Sequence, residues 1–240
     1  MTNPTRKTYF NWSSGKDASF ALYQMQQDKS FDIDLLVTSI NSHLDRVTMH
    51  GLRRELLVEQ AESIGIKLQT IELPEQPTME DYNSIMEKTV KEFKTQGYTD
   101  CGFGDIFLAD LRTYRENQLK PYDIKCHFPL WKKDTKELLK SFIDLGFKTI
   151  VICVKSELLD ESFVGREIDH NFINDLPDNV DPCGENGEFH TFCYDGPIFS
   201  KPVTFTIGEN VFKEYEAPKQ EDNSEALPNM GFWFCDLIPT

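Results

Sequence analysis

Near the start of the chain, Tyr9-Phe10-Asn11-Trp12 leads into a small polar corner, Ser13-Ser14-Gly15-Lys16-Asp17, and Ala18-Ser19-Phe20-Ala21-Leu22 leads out of it. Those residue types at that spacing suit the capture of an anion. In a strand-turn-helix corner successive backbone N–H groups converge on one point, and the positive end of a helix dipole, here from about Ala18, adds to them. Ser13, Ser14 and Gly15 are small enough for an anion to approach the main chain, and Lys16 brings a mobile cation. An ordinary Ser-capped corner uses the same residues. Two other phosphate loops are excluded by spacing. No Walker string occurs, and Gly102-x-Gly104 alone is too little for a dinucleotide fingerprint.

A second string with chemical potential is Asp181-Pro182-Cys183-Gly184-Glu185-Asn186-Gly187-Glu188-Phe189-His190-Thr191-Phe192. Glycines at 184 and 187 permit sharp or left-handed backbone, which would present Glu185 and Asn186 to a ligand. Glu185 or Glu188 suits an amine or a metal, and His190 suits acid-base work near neutral pH. An Asp-Pro start followed by Gly-Glu-Asn-Gly also reads as an exposed turn. Cys183, His190 and Cys193 bring three soft donors together. A zinc site would need a fourth from Cys126, His127 or His170, and burial of cysteine as a small apolar residue is the alternative.

These strings need elements to hold them. Apolar runs predict strands at 8–12, 33–40, 66–73 and 100–103, with helices between. Leu52, Leu56, Leu57, Ala61 and Ile64 predict a helix over 48–64 stopped by Gly65. Met79, Tyr82, Ile85, Met86, Val90 and Phe93 predict another ahead of Gly97. Parallel strands with right-handed crossovers are the economical arrangement, and ligands then sit at the strand carboxyl ends, where the Ser13–Asp17 corner falls. Pro129 interrupts the run Cys126–Trp131 and marks a boundary, dividing the chain into 1–127 and 128–240. Beyond it Asp134 caps a helix with Leu138, Leu139, Phe142 and Ile143 on its buried face, Gly146 ends it, and 149–154 reads as a buried strand. Phe232 to Leu237 predicts a terminal strand. The charged segment Glu214 to Pro228 reads as an exposed loop.

Composition narrows the class. The chain has 240 residues and a formal charge of -15, which opposes nonspecific binding to nucleic acid or an anionic membrane. Its six cysteines include no C-x-x-C pair and read as free thiols of a reducing compartment, the cytosol. No apolar run reaches the roughly 20 residues that span a bilayer, and Met1 to Lys7 lacks a signal-peptide core.

Ser13 to Ala18 resembles the Ser-Gly-Gly-x-Asp-Ser loop of the PP-loop ATP pyrophosphatases, in the adenine nucleotide alpha hydrolase superfamily. The chain departs from that consensus with Ser14 for a Gly and Ala18 for the final Ser, whose hydroxyl Ser19 would partly replace. With Gly104-Asp105-Ile106, Pro129-Leu130-Trp131, Leu159-Asp160-Glu161-Ser162-Phe163-Val164-Gly165-Arg166 and the string ending His190-Thr191, most of the chain from residue 9 to about 199 is similar to the diphthine-ammonia ligase family. The resemblance implies an α/β fold: a Rossmann-like parallel sheet of the HUP, PP-loop type, followed by a smaller α+β domain whose loops complete a cleft over the nucleotide.

It further implies that ATP activates a carboxylate by adenylation, that ammonia or an amine displaces AMP to leave an amide, and that pyrophosphate is the other product. Under it Ser13, Ser14, Gly15, Lys16, Asp17 and Ser19 hold the pyrophosphate end, Asp17 organises Mg2+, and Gly104 and Asp105 approach the same phosphates. Glu185, Asn186, Glu188, His190, Thr191 and Arg166 recognise the acceptor or ammonia, with Lys16, Asp17, Glu185 and His190 catalytic. Arg112, Tyr114 and Arg115 are candidates to line the cleft. Arg53 and Arg54 read as surface charge. His43 and His50 flank a strand end where adenine would lie, but a lone histidine is commonly a surface group and His50 is set aside. The acidic string reads Gly-Glu-Asn-Gly-Glu here against Gly-Glu-Gly-Gly-Glu in the eukaryotic ligases, so the acceptor stays open; a source without diphthine would require another acid. A non-catalytic ATP- or AMP-binding regulator and a simple ATP pyrophosphatase are the alternatives. A homodimer is the default assembly.

Overall fold

Strands predicted from the early apolar runs line up side by side in the computed structural model, which describes residues 5–48, 50–215 and 229–240. In chain order the elements are β1 (Arg6–Asn11), α1 (Lys16–Gln26), β2 (Phe31–Asn41), β3 (Arg46–Val47), α2 (Arg54–Ile64), β4 (Lys67–Leu73), α3 (Met79–Thr95), β5 (Asp100–Gly102), α4 (Ala109–Leu119), β6 (Lys125–His127), α5 (Thr135–Asp144), β7 (Lys148–Lys155), α6 (His170–Asp175), β8 (Phe189–Asp195), β9 (Phe205–Tyr215) and β10 (Met230–Pro239).

The first sheet runs β4-β2-β1-β5-β6, every neighbour parallel, with β3 added antiparallel at the end of β2. Because β2 and β5 lie on opposite sides of β1, the chain reverses its direction of travel across the sheet there. The corner after β1 therefore sits at the switch point where open α/β sheets bind ligands. Both faces are covered, as parallel sheets require. Phe10, Leu36, Leu56, Leu57 and Ala61 bury on one face, and Tyr9, Leu35, Val37, Val90 and Phe93 on the other. Each such large apolar side chain contributes about 1.5–3 kcal/mol relative to exposure.

The second sheet is antiparallel, in the order β8-β7-β10-β9. Asp134 caps α5 by accepting the Glu137 N–H at 2.9 Å, and Leu138, Leu139 and Phe142 are buried as their spacing predicts. α1 joins the two sheets, since its Phe20 ring lies 6.1 Å from Phe142 and 6.2 Å from Phe147, and Tyr23 lies 5.8 Å from Phe147. One continuous core therefore runs from the first sheet into the second.

Several expectations need correction. The helix predicted over 48–64 begins at Arg54, because β3 and the Arg46–Arg53 bridge use the preceding residues and Leu52 is buried ahead of the helix. β9 carries too many polar residues to be read as a strand from pattern, and the start of β8 reads with the acidic glycine string that precedes it. Of the loop expected at Glu214 to Pro228, Glu214 and Tyr215 close β9, and residues 216–228 lie outside those described.

Candidate functional site

Trp12 ends β1 with its N–H bonded to Val37 O, and the chain then turns through Ser13-Ser14-Gly15 into α1. Ser14 takes a left-handed φ of 69°. A residue with a Cβ costs about 1–2 kcal/mol there, which is the physical reason for a glycine in the consensus and for the anchoring seen around Ser14. Its carbonyl accepts the Cys193 N–H at 2.9 Å and the Gln60 Nε2–H at 2.9 Å. Gln60, fully buried on α2, also donates to Cys193 O at 2.5 Å and accepts from Trp12 Nε1 at 2.8 Å. One amide thus ties the corner, β8 and the end of β1 together. Replacing it with leucine strands buried polar partners, so Gln60→Leu is expected to destabilise the protein by about 3 kcal/mol or more. Urea denaturation measures this, and an unchanged midpoint would show that the amide does not anchor the corner.

β8 lies directly over the corner. Thr191 Oγ1 accepts the Lys16 N–H at 3.0 Å, so the anion-seeking end of α1 already has a partner. The buried Lys16 ammonium reaches Asp17 Oδ2 at 2.7 Å and the Cys183 carbonyl. Burial alone depresses that ammonium, but Asp17, Cys183 and Glu185 outweigh it and raise its pKa, so it stays charged. Burial raises the Asp17 carboxyl against the opposing pull of Lys16. Ser13 and Asp17 remain partly exposed, while Ser14, Gly15 and Lys16 are covered.

The expected open cleft is therefore corrected. Beside Lys16 and Asp17 there is a cavity of about 10 Å³, lined by Phe20, Leu138, Leu139, Phe142 and Cys183, which is room for about one water. The corner and the acidic string do meet, but as packed neighbours. One feature still fits an anion: Ser14 Oγ is buried without a hydrogen-bond partner. Gly15 itself packs on β8, since a Cβ there would come within 3.2 Å of Thr191 O and Oγ1.

The remaining candidates divide into those gathered at the corner and those held elsewhere. Glu185 Oε1 accepts the Ile106 N–H at 2.7 Å and the Phe107 N–H at 3.3 Å, bridging the acidic string to the loop after β5. Burial pushes its carboxyl up to about 7, opposed by those two N–H groups and by Lys16 and assisted by Asp17. Gly104 fits against the start of α1, where a Cβ would lie 2.9 Å from Ala18 N. Asp105 is neutralised by Arg115 at 2.9 Å. Ser19 Oγ donates to Gly15 O at 2.9 Å within the first turn of α1.

Glu188 faces its own loop, accepting from Asp181 N, Asn186 N and Asn186 Nδ2 at 3.0, 2.9 and 2.9 Å, with Asn186 itself exposed. Arg166 lies apart, paired with Asp175 at 2.6 Å and seated over Phe163 and Phe172. Cys183 Sγ donates to Thr135 O and Cys193 Sγ to Asp195 O; among the described residues no trio of histidine, cysteine or acidic side chains is arranged for a metal. All six cysteines are free, and no helix among the described residues is long and apolar enough to cross a membrane.

His50 was set aside on sequence grounds, yet the turn after β3 stacks it on His190 with ring centroids 4.6 Å apart. Its Cε1 would lie 3.5 Å from a Cβ on Gly15, and its Nδ1 is buried without a partner. Burial, then the neighbouring His190 and Lys16, holds His50 well below its ordinary value, and burial holds His190 at about 4. Both rings are neutral at pH 7, so His190 is a weaker base than its type alone suggests.

The profile of the diphthamide synthase N-terminal domain matches residues 6–120, and that of the diphthamide synthase C-terminal domain matches residues 134–219. Among curated relatives, the diphthine-ammonia ligase of Danio rerio is 27% identical over 147 residues, covering 59% of this chain and 58% of that protein. The Homo sapiens protein of the same name is 28% identical over 116 residues, 46% of this chain and 43% of that one. The Schizosaccharomyces pombe protein is 31% identical over 112 residues, 45% of this chain and 18% of its own length. The chain thus spans from under a fifth to somewhat over half the length of these relatives. With both domain profiles matched in order across the two sheets, the chain belongs to the diphthamide synthase family.

Proposed function

We propose that this chain is an ATP-dependent, amide-forming ligase that adenylates a carboxylate and releases AMP and pyrophosphate. The observation that carries the reading is the junction of the two strings, where Thr191 of the acidic segment bonds the first N–H of α1 and Glu185 of the same segment reaches the loop after β5. Residues 1–127 would serve the nucleotide and 128–240 the acceptor. ATP as substrate supplies the leaving group, since a carboxylate is a poor electrophile and its mixed anhydride with AMP is a good one. The Ser14 hydroxyl, the Gly15 main chain and the Lys16 ammonium are the donors for the departing pyrophosphate, whose charge grows as the inner phosphorus is attacked.

Magnesium would come with the nucleotide. Mg2+ keeps waters and phosphate oxygens and takes few protein carboxylates, which a single Asp17 satisfies. Access requires Thr191 Oγ1 and the Cys183 carbonyl to yield their bonds to Lys16. Glu185 then stands beside the acceptor and, with its carboxyl at about 7, takes the proton that the amine nitrogen sheds as the amide forms. Ammonia or an amine is the nitrogen donor; the acceptor is a carboxylate, and diphthine, which the relatives' name specifies, is the first to test. The free thiols support a cytosolic setting.

A second reading, a regulator that binds ATP or AMP without turnover, is favoured by the covered corner and by the strained Ser14. Incubation with ATP labelled at the inner phosphate, Mg2+, ammonium and candidate acids separates the two. The ligase reading expects labelled AMP in amounts equal to new amide. ADP with phosphate as the sole products would sink it, AMP without amide would mark a pyrophosphatase, and stable ATP binding with no product would favour the regulator.

A further inference from the structure

The antiparallel sheet ends on β9, an 11-residue strand that is exposed along nearly all its length and, among the described residues, has β10 as its strand partner on one side and none on the other. Such an edge is usually blunted by proline, short length, a bulge or charged side chains, and of these β9 has a bulge at Gly208 and Glu209 and charges at Glu209, Lys213 and Glu214. Phe205–Tyr215 contains no proline, and it exposes Val211 at 41% and Phe212 at 47%. Its single lysine or arginine is Lys213, whose ammonium sits 5.6 Å from the Phe234 ring centre on the neighbouring strand.

The order of residues along this edge is self-complementary. If two copies of β9 run antiparallel about a two-fold axis at Val211, Val211 meets its own copy, Asn210 meets Phe212, and Glu209 meets Lys213 twice. The bulge that sets Gly208 and Glu209 opposite Asp236 ends the regular register at Glu209, which limits the pairing to Glu209–Lys213. Neighbouring registers lose the match. A slip one way sets Glu209 against Glu214 of the other copy, and a slip the other way leaves Glu209 facing Phe212 and Lys213 facing Gly208. Cross-strand pairs of opposite charge favour a register and like charges oppose it. A chain of net charge -15 also repels its own copies, so a contact between them needs a local cation on the shared edge, and Lys213 is that cation.

We infer that β9 is a homodimer interface, at which two copies join edge to edge through Glu209–Lys213 and make one continuous sheet across the two molecules. The inference is independent of the ligase reading. Its test is a charge exchange read by sedimentation velocity over about two decades of protein concentration, at about 0.15 M salt. Wild type is expected to dimerise. Lys213→Glu and Glu209→Lys should each weaken the dimer by about 10–100-fold, because symmetry doubles the loss and adds repulsion. The double exchange, Glu209→Lys with Lys213→Glu, should restore it. Both side chains are exposed, so circular dichroism and melting should stay as in wild type and separate misfolding from lost contact. A monomeric wild type, single variants as dimeric as wild type, or a double exchange as weak as the singles would each overturn the interface.

Discussion

Lys16→Ala is expected to weaken ATP binding by about 100-fold and to lower turnover by about 1000-fold, with the fold intact. A buried ammonium that meets a phosphate makes a charge-assisted contact worth about 3 kcal/mol, and the contact strengthens as charge develops on the leaving pyrophosphate. The Lys16 side chain is 4% exposed and is held charged by Asp17, Cys183 and Glu185, so a full cation stands at the corner once the Cys183 carbonyl yields its bond. Removing it leaves Asp17, which is 29% exposed and open to water, and the buried Cys183 carbonyl without their partner, at a cost to stability of about 1–3 kcal/mol. Calorimetric titration with ATP and Mg2+, beside thermal melting, gives both numbers. Lys16→Met, which keeps the volume, should behave like alanine in binding. An ATP affinity within about twofold of wild type in either variant would remove the corner from the nucleotide site.

Glu185→Gln should produce the second large effect, a fall in kcat/KM of about 100-fold at pH 8 together with loss of an activity limb centred near pH 7. The limb follows from the carboxyl's being raised to about 7, first by burial and then by the Asp17 charge, against the opposing Ile106 and Phe107 N–H groups and Lys16. The same shift predicts a stability change of definite sign. A carboxyl that titrates higher folded than unfolded stabilises the fold below its ordinary value of 4.5 and loses that contribution as pH rises through about 7. The loss is at most about 3 kcal/mol.

The stacked histidines act in the opposite sense. Depressed on folding, they give stability that is present above pH 6.5 and fades as pH falls through about 4 at His190. The two ramps overlap, so the raw profile of wild type hides both. The difference in stability between wild type and Glu185→Gln isolates the carboxyl, and it should shift against wild type from about pH 4.5 to about pH 7. A flat difference would place Glu185 in water, outside the packed junction.

Much of the first sheet could be read from local pattern. The runs around Tyr9, Leu36 and Ile71 are apolar enough to specify buried parallel strands, and the spacing of α5 specified the buried Leu138, Leu139 and Phe142. For α3 the spacing gave the helix, of which Val90 and Phe93 are buried and Met79 is exposed. The corner was equally legible, because its small residues, its lysine and the helix behind it are neighbours in the chain. β8 was not, since Phe189-His190-Thr191 carries the polarity of a loop and becomes a strand only by pairing with β7. Gln60 gave no signal either: a glutamine in a helix looks like surface until Trp12 Nε1, Ser14 O and Cys193 O close around it.

By itself, then, the chain's order of residues determined a parallel α/β half with an anion-seeking turn at its switch point, and a later acidic, glycine-bearing string with acid-base potential. Tertiary structure alone decided that β8 lies on that turn, that His50 and His190 share one stack, that Glu188 serves its own loop, and that Arg166 belongs to a different ion pair. The reason is range. Spacings of two and of 3.6 residues report which face of an element is apolar, whereas the partner that covers the turn is contributed by a strand some 175 residues further along, chosen by the shared core around α1.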